Sequence, residues 1–230
     1  MEEVKCKVNM LKHLGIIADG NRRWAKAQGL PTIEGHKKGL DTIKKLVAAA
    51  AEAGIEYITF YVFSTENWGR SADEVNYIMK LAEGRILKYA EQLAANNARM
   101  LILGSKDKIS PQLASTIEKA EALTAECTGI TVCFCFNYGG EREIADAATI
   151  ASQEGEITPE AIRKHLYHPE VPELDMVVRT SGEERISGFM LWRASYAEFY
   201  FMQKYFPDMD GADIKEILKE YENRNRRFGK

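Results

Sequence analysis

Apolar residues fall along this chain in short runs, separated by longer stretches where they recur at helical spacing. Leu14-Gly15-Ile16-Ile17-Ala18 opens the series, and a helix-compatible segment follows Asn21. Tyr57 to Phe63, Met100 to Leu103, Ile130 to Phe136, Met176 to Arg179 and Phe189 to Trp192 are mostly rich in β-branched or aromatic residues, which predicts strands. Glu198 to Phe201 forms or flanks a further extended piece. Between these runs, Asp41 to Ala53 predicts a helix closed by Gly54, which suits a left-handed cap. Ser71 to Asn96 is the clearest long helix: Ser71 and Glu74 have capping-box spacing, and Val75, Ile78, Met79, Ala82, Ile86 and Leu93 form an apolar stripe. Pro111 to Thr124, Glu141 to Ser152, Pro159 to Leu166 and Ala212 to Asn223 predict further helices. Strands alternating with helices predict an α/β fold, a single domain with a central, mainly parallel sheet of about six strands flanked by helices. No internal repeat or long Pro/Gly/Ser linker divides the chain, so residues 1–230 read as one domain, with an N-terminal extension over 1–12 and a C-terminal helix and tail over 212–230.

Composition narrows the function classes. With 45% hydrophobic and 28% charged residues, 230 residues suffice for a sizeable core. A net charge of -3 speaks against general nucleic-acid binding, which favours a basic domain, so an anionic ligand must be held by local arginines. Cys6, Cys127, Cys133 and Cys135 have neither zinc-ligand spacing nor the density of a disulfide framework. Met1-Glu2-Glu3-Val4-Lys5 lacks the apolar region of a signal peptide, and no apolar run approaches the roughly 18 residues that span a bilayer. A cytoplasmic protein is expected, and transient contact with a membrane surface is compatible with the sequence.

Chemistry concentrates first where the strand ending at Ala18 meets Asp19-Gly20-Asn21 and then Arg22-Arg23-Trp24. A strand-to-helix turn at the carboxyl end of a sheet can aim backbone N–H groups at an anion. Gly20 permits close backbone approach and Arg23 supplies a forked donor. Asp19 repels a diphosphate directly, so it makes sense there chiefly with a divalent cation between them, for which magnesium is the natural candidate. The same residues also suit a plain turn with Asp19 as an N-cap.

His13 through Lys26 closely resembles the opening signature of the cis-prenyltransferases, the family of undecaprenyl diphosphate synthases. Four later segments agree in order: Gly35-His36-Lys37-Lys38-Gly39; Phe63-Ser64-Thr65-Glu66-Asn67-Trp68 with Arg70; Asn137-Tyr138-Gly139-Gly140; and Asp175 through Glu198, which contains Arg179-Thr180-Ser181-Gly182-Glu183-Glu184-Arg185-Ile186-Ser187. The resemblance implies an enzyme that joins an allylic prenyl diphosphate, farnesyl or geranylgeranyl, to isopentenyl diphosphate units with cis geometry, making a long-chain precursor of a glycan-carrier lipid such as undecaprenyl diphosphate. It implies that Asp19, Gly20, Asn21, Arg22, Arg23, Trp24 and His36 surround the allylic diphosphate, with Asp19 the catalytic residue that holds Mg2+ and is essential to metal-assisted ionisation. Arg179, Arg185 and Ser187, with Ile186 between the last two, look like the clamp for isopentenyl diphosphate. Glu198 matches a second acidic metal position, reached across the interface of a homodimer. Ser64, Thr65, Glu66, Asn67, Trp68 and Arg70 look like the region of substrate orientation and proton removal; Asn67 matches a catalytic position sometimes assigned as proton acceptor, but a neutral amide is a poor base, so it reads as positioning the substrate or a water. Read without the resemblance, Arg179 suits a salt-bridged strand end, Glu198 a solvated surface position and Trp68 core packing.

Two departures stand out. The resemblance places an arginine thirteen residues after the aspartate in many members, where this chain has Thr32; and it places glycine in many bacterial members where this chain has Arg22. Arg22 is therefore expected to offset part of the lost positive charge, with His36, Lys37 and Lys38 as other sources. An apolar product tunnel is expected between the Val75 to Ile86 stripe and strand residues around Phe60 and Val132, although such a stripe also suits ordinary core. The rival reading is a catalytically silent subunit of a heteromeric synthase; its C-terminal Arg-x-Gly pattern is present as Arg227-Phe228-Gly229, which also fits an active homodimer. A nucleotide-binding protein has weak support, since GxGxxG and GxxxxGK[ST] are absent, and no aspartate-rich motif of trans-prenyltransferases occurs.

Overall fold

A computed structural model describes residues 10–224. Its core is one parallel sheet. The strands are β1 (His13–Ile17), β2 (Tyr57–Ser64), β3 (Arg99–Leu103), β4 (Thr131–Tyr138), β5 (Met176–Arg179) and β6 (Glu198–Phe201), in spatial order β3-β4-β2-β1-β5-β6. All five pairings are parallel. The helices are α1 (Asn21–Ala27), α2 (Thr32–Glu52), α3 (Ala72–Ala95), α4 (Pro111–Thr124), α5 (Gly140–Glu154), α6 (Pro159–Lys164) and α7 (Gly211–Glu222).

β1 is buried at every position, as a central parallel strand covered on both faces requires. Leu14 and Ile16 enter one core with Ile58, Phe60, Val132, Val178 and residues of α2 and α7. Ile17 faces a second core with Tyr61, Cys133, Cys135, Val177 and Phe189. The strand order reverses at β1 and β5: β1 connects onward to β2 on one side, and β5 to β6 on the other. Loops leaving two adjacent strands in opposite directions open a crevice beyond their carboxyl ends, the usual ligand position in open parallel sheets.

Several expected elements shift. Phe189 to Trp192 is not a strand; Gly188 (φ 74°) and Met190 (φ 41°) break the extended conformation. Phe189 instead wedges against Gly15, where a Cβ would stand 2.7 Å from its ring. α2 begins at Thr32 rather than near Asp41. Gly35 and Gly39, which weaken helix propensity, are needed there because a Cβ at either would collide with Asn21. That helix ends two residues before Gly54, whose φ is 78°. Ser71 does cap α3 by accepting from the Glu74 amide, but the Glu74 carboxylate bonds Arg70 at 2.9 Å instead of completing a capping box. In the α3 stripe Val75 and Leu93 are buried, while Ile78, Met79, Ala82 and Ile86 are only partly so; Phe60 and Val132 lie wholly in the core. The Arg227-Phe228-Gly229 pattern and Cys6 lie outside the described residues. No described helix is long and apolar enough to cross a membrane.

Candidate active site

Asp19 sits just beyond the end of β1, where its amide turns back to the Ile17 carbonyl at 2.9 Å. The register pairs Ile17 with Arg179, the last residue of β5. The carboxylate and the guanidinium therefore meet because two parallel strands end side by side at the reversal of strand order. Arg179 Nη2 donates to Asp19 Oδ2 at 2.9 Å, and Arg23, one turn into α1, reaches Asp19 Oδ1 at 3.1 Å. Asp19 is thus not the N-cap of α1; Gly20 fills that place with φ 100°. Burial disfavours the charged form of Asp19, but the hydrogen bonds and charges of Arg179 and Arg23 outweigh it and hold its pKa below the usual carboxylate value.

Arg179 is nearly inaccessible, and its other branch continues the network. Its Nη1 donates to the Arg185 carbonyl at 2.6 Å and to Ser187 Oγ at 2.8 Å. The expected clamp residues are therefore together: Arg185 is exposed and bonded to Glu183, Ser187 is exposed with φ 48°, and Ile186 between them packs on the second core. That irregular loop is pinned from behind. Tyr61 donates to the Ser187 carbonyl at 3.3 Å, and the Gly140 amide donates to the Gly188 carbonyl at 2.8 Å. Farther along, buried Arg193 bonds Glu143 at 2.8 Å and the carbonyls of Val171, Tyr167 and His168, so both charges of this pair are satisfied.

A cleft of about 770 Å³ opens beside Asp19, lined by Asp19, Gly20, Asn21, Arg22, Arg23, Lys26, Leu30, Thr32, His36, Val62 and Arg70, among others. Arg22, Arg23, Lys26 and Arg70 face it against the single lining carboxylate of Asp19. Thr32 and Arg22 both border it, so the missing and the added positive charge belong to one space. Behind this wall Glu74 pairs with Arg70 at 2.9 Å and with Arg22 at 3.7 Å. His36 Nε2 stands 3.6 Å from the same carboxylate, beyond hydrogen-bond reach. Burial lowers the His36 pKa more than Glu74 raises it, so the ring gives up its proton more readily than a free histidine. Asn21 Oδ1 and His36 Nε2, on two residues that line the cleft, and Arg179 Nε behind Asp19 are buried with no hydrogen-bond partner.

Other expected residues are placed elsewhere. Trp24 turns from the cleft and donates to Asp208 at 2.7 Å. Ser64 and Asn67 form a reciprocal capping box for the 3-10 turn Thr65–Gly69, so the Asn67 amide oxygen is bonded to the Ser64 amide. Thr65 donates to Glu66 at 2.9 Å. Trp68 is half-buried, packs edge-on against Phe63 and donates to Asn137 at 2.7 Å. Thr65 and Trp68 line a separate cavity of about 280 Å³ with Asn137 and Arg142. Glu198 opens β6, paired with Met176, whereas Arg179 pairs with Phe201. It is therefore about 10 Å below the cleft, at the opposite end of the sheet, and does not join Asp19 within one chain. The sequence marked Glu74 only as a helix cap and Thr180 and Ser181 only as part of a motif, and gave no signal for Tyr205, which stacks under Arg23 at 5.8 Å. Thr180 and Ser181 adjoin Arg179 in sequence, but only the fold shows which atoms they touch.

Comparison with known proteins agrees with this geometry. Residues 17–229 match the prenyltransferase family model described as "Putative undecaprenyl diphosphate synthase". The chain is 44% identical over 221 residues to an isoprenyl transferase of Neisseria meningitidis, covering 95% of this chain and 89% of the relative. It is 42% identical over 226 residues to an isoprenyl transferase of Listeria monocytogenes, covering 95% and 90%. The structure superposes on lavandulyl diphosphate synthase from Lavandula x intermedia, in complex with dimethylallyl diphosphate, with a TM-score of 0.91 and 31% identity over 96% of this chain and 98% of that one. A probable undecaprenyl diphosphate synthase from Campylobacter jejuni gives a TM-score of 0.83 and 32% identity over 96% and 100%. A parallel sheet ending in a cationic cleft, a family match along nearly all of the chain and relatives above 40% identity lead to one conclusion: the chain belongs to the undecaprenyl diphosphate synthase family of prenyltransferases.

Proposed function

We propose that this protein condenses isopentenyl diphosphate with an allylic prenyl diphosphate, farnesyl or geranylgeranyl, to make a long cis-polyprenyl diphosphate such as undecaprenyl diphosphate, a glycan-carrier precursor. The observation that carries this reading is the shared guanidinium of Arg179, bonded to Asp19 on one branch and to Ser187 and the Arg185 carbonyl on the other. A buried arginine that links the Asp19 carboxylate, at the edge of the cationic cleft, to the exposed loop of Arg185 and Ser187 suits a reaction that holds two diphosphates side by side. The allylic diphosphate belongs in the cleft beside His36, where the cations Arg22, Arg23, Lys26 and Arg70 stabilise it most as it departs and its negative charge grows. Isopentenyl diphosphate belongs on Arg179, Arg185 and Ser187. That the lavandulyl diphosphate synthase structure holds an allylic diphosphate supports the assignment.

Asp19 suits Mg2+: it offers carboxylate oxygens beside a diphosphate site, and magnesium is commonly held by one or two carboxylates together with substrate phosphates. When bound, the ion would neutralise charge on the departing diphosphate. Glu198 would supply a second carboxylate only from a neighbouring subunit. Strand β6, which carries it, has β5 as its single neighbour among the described residues and presents exposed Phe199 stacked on Phe201, which supports pairing with a second copy. Asn67, held in its capping box, orients the turn; the departing diphosphate takes the proton. The growing chain runs along the half-buried Ile78, Met79, Ala82 and Ile86 face of α3, with Val62 at the entrance. Product release involves peripheral contact with a membrane from the cytoplasmic side. Purified protein supplied with magnesium, farnesyl diphosphate and labelled isopentenyl diphosphate should yield extractable polyprenyl product; absence of product with every allylic primer would instead favour the silent-subunit reading.

A further inference from the structure

The backbone of Asp19 is gripped as firmly as its carboxylate. Its carbonyl oxygen accepts from the Thr180 hydroxyl at 2.7 Å, the Ser181 hydroxyl at 2.9 Å and the Phe206 amide at 3.0 Å. Its amide donates to Thr180 Oγ1 at 3.0 Å. Thr180 is wholly buried and Ser181 nearly so. Ser181 adopts φ 77°, a left-handed conformation that costs a serine energy, and holds it through its amide on the Lys204 carbonyl at 2.9 Å. That strain aims its hydroxyl beneath Asp19, into the space that a Cβ on Gly20 would fill. Residues 179, 180 and 181 thus fix one aspartate at three levels: guanidinium on carboxylate, then two hydroxyls on the peptide.

We propose that Thr180 and Ser181 are positioning residues that set the Asp19 carboxylate against Arg179 and the reacting diphosphate; this rests on the function proposed above. Freeing the Asp19 peptide lets the carboxylate rotate, which degrades alignment in the transition state, while the surrounding cations of the cleft still bind the substrate. The effect therefore falls on kcat rather than on the KM for the allylic diphosphate.

The test uses the full chain with Thr180→Val, Thr180→Ser and Ser181→Gly, the last removing hydroxyl and strain together. Wild-type turnover is measured first; its absence would defeat the proposed function and not the positioning. With an active wild type, Thr180→Val and Ser181→Gly should each lower kcat about tenfold or more, with KM changed less than about twofold, and Thr180→Ser should recover most of the loss. Circular dichroism and thermal melting identify any variant that fails to fold; should Thr180→Val fail, Ser181→Gly decides. A folded hydroxyl-deletion variant with kcat within about twofold of wild type overturns the proposal, as does a loss in KM alone.

Discussion

Arg179→Lys keeps a positive charge at the junction of the two proposed diphosphate sites but replaces a planar fork with a single ammonium. The native guanidinium bonds Asp19 Oδ2 at 2.9 Å through one nitrogen, and Ser187 Oγ at 2.8 Å and the Arg185 carbonyl at 2.6 Å through another. A lysine reaching one side abandons the other. Losing charge-assisted geometry on either side, at about 1.5–3 kcal/mol, lowers kcat/KM by roughly tenfold to a hundredfold. Steady-state kinetics with each substrate varied in turn measures this, and a variant within about threefold of wild type would refute the bridging role. Arg179→Met adds a second readout. Arg179 helps to hold the Asp19 pKa down against burial, which keeps the carboxylate ionised at lower pH; removing the charge raises that pKa. The acid limb of kcat/KM should then move to higher pH, and an unmoved limb would show that Asp19 does not govern it.

Arg22→Gly should raise the KM for the allylic diphosphate about threefold to fivefold, a modest effect because the side chain is 59% exposed; an unchanged KM ends the idea that Arg22 compensates for Thr32. His13 is buried and its pKa is lowered from 6.5 to about 4, chiefly by burial, so the unfolded chain binds its proton first as pH falls. Stability from this group is present above pH 6.5 and is lost by about 3 kcal/mol on acidification toward pH 4; His13→Asn should flatten that part of a urea-unfolding series, and an unaltered slope would contradict the assignment. Breaking the buried Glu143–Arg193 pair with Arg193→Met should cost about 3–5 kcal/mol in denaturant unfolding, because Glu143 is left charged and inaccessible; a cost below about 1 kcal/mol would mean that the pocket relaxes around it.

The sheet was legible because its strands are local: Met176 to Arg179 and Glu198 to Phe201 carry β-branched or aromatic runs whose bounds coincide with β5 and β6. Asp19 was legible as the end of such a run. What escaped depends on contacts across the chain. The start of α2 was hidden because Gly35 and Gly39 disfavour helix locally and are explained only by Asn21 packed against them. Phe189 to Trp192 carries strand composition, yet Phe189 fills the gap at Gly15 from a left-handed turn. Trp24 and Trp68 stood within functional motifs, but their indole donors bond Asp208 and Asn137, partners that no local spacing reveals. Thr180 and Ser181 reach Asp19 across about 160 residues, so their role follows from the β1–β5 register and not from their neighbours in sequence.

Whether Asp19 and the cations around it turn over two diphosphates is decided by radiolabel incorporation with farnesyl diphosphate, isopentenyl diphosphate and magnesium, comparing wild type with Asp19→Asn. This substitution keeps the side chain's shape while removing the charge held by Arg23 and Arg179. The wild type should give a butanol-extractable polyprenyl product, lost on chelation of magnesium and reduced at least about a thousandfold in Asp19→Asn. Equal product from the two proteins would contradict this role of Asp19.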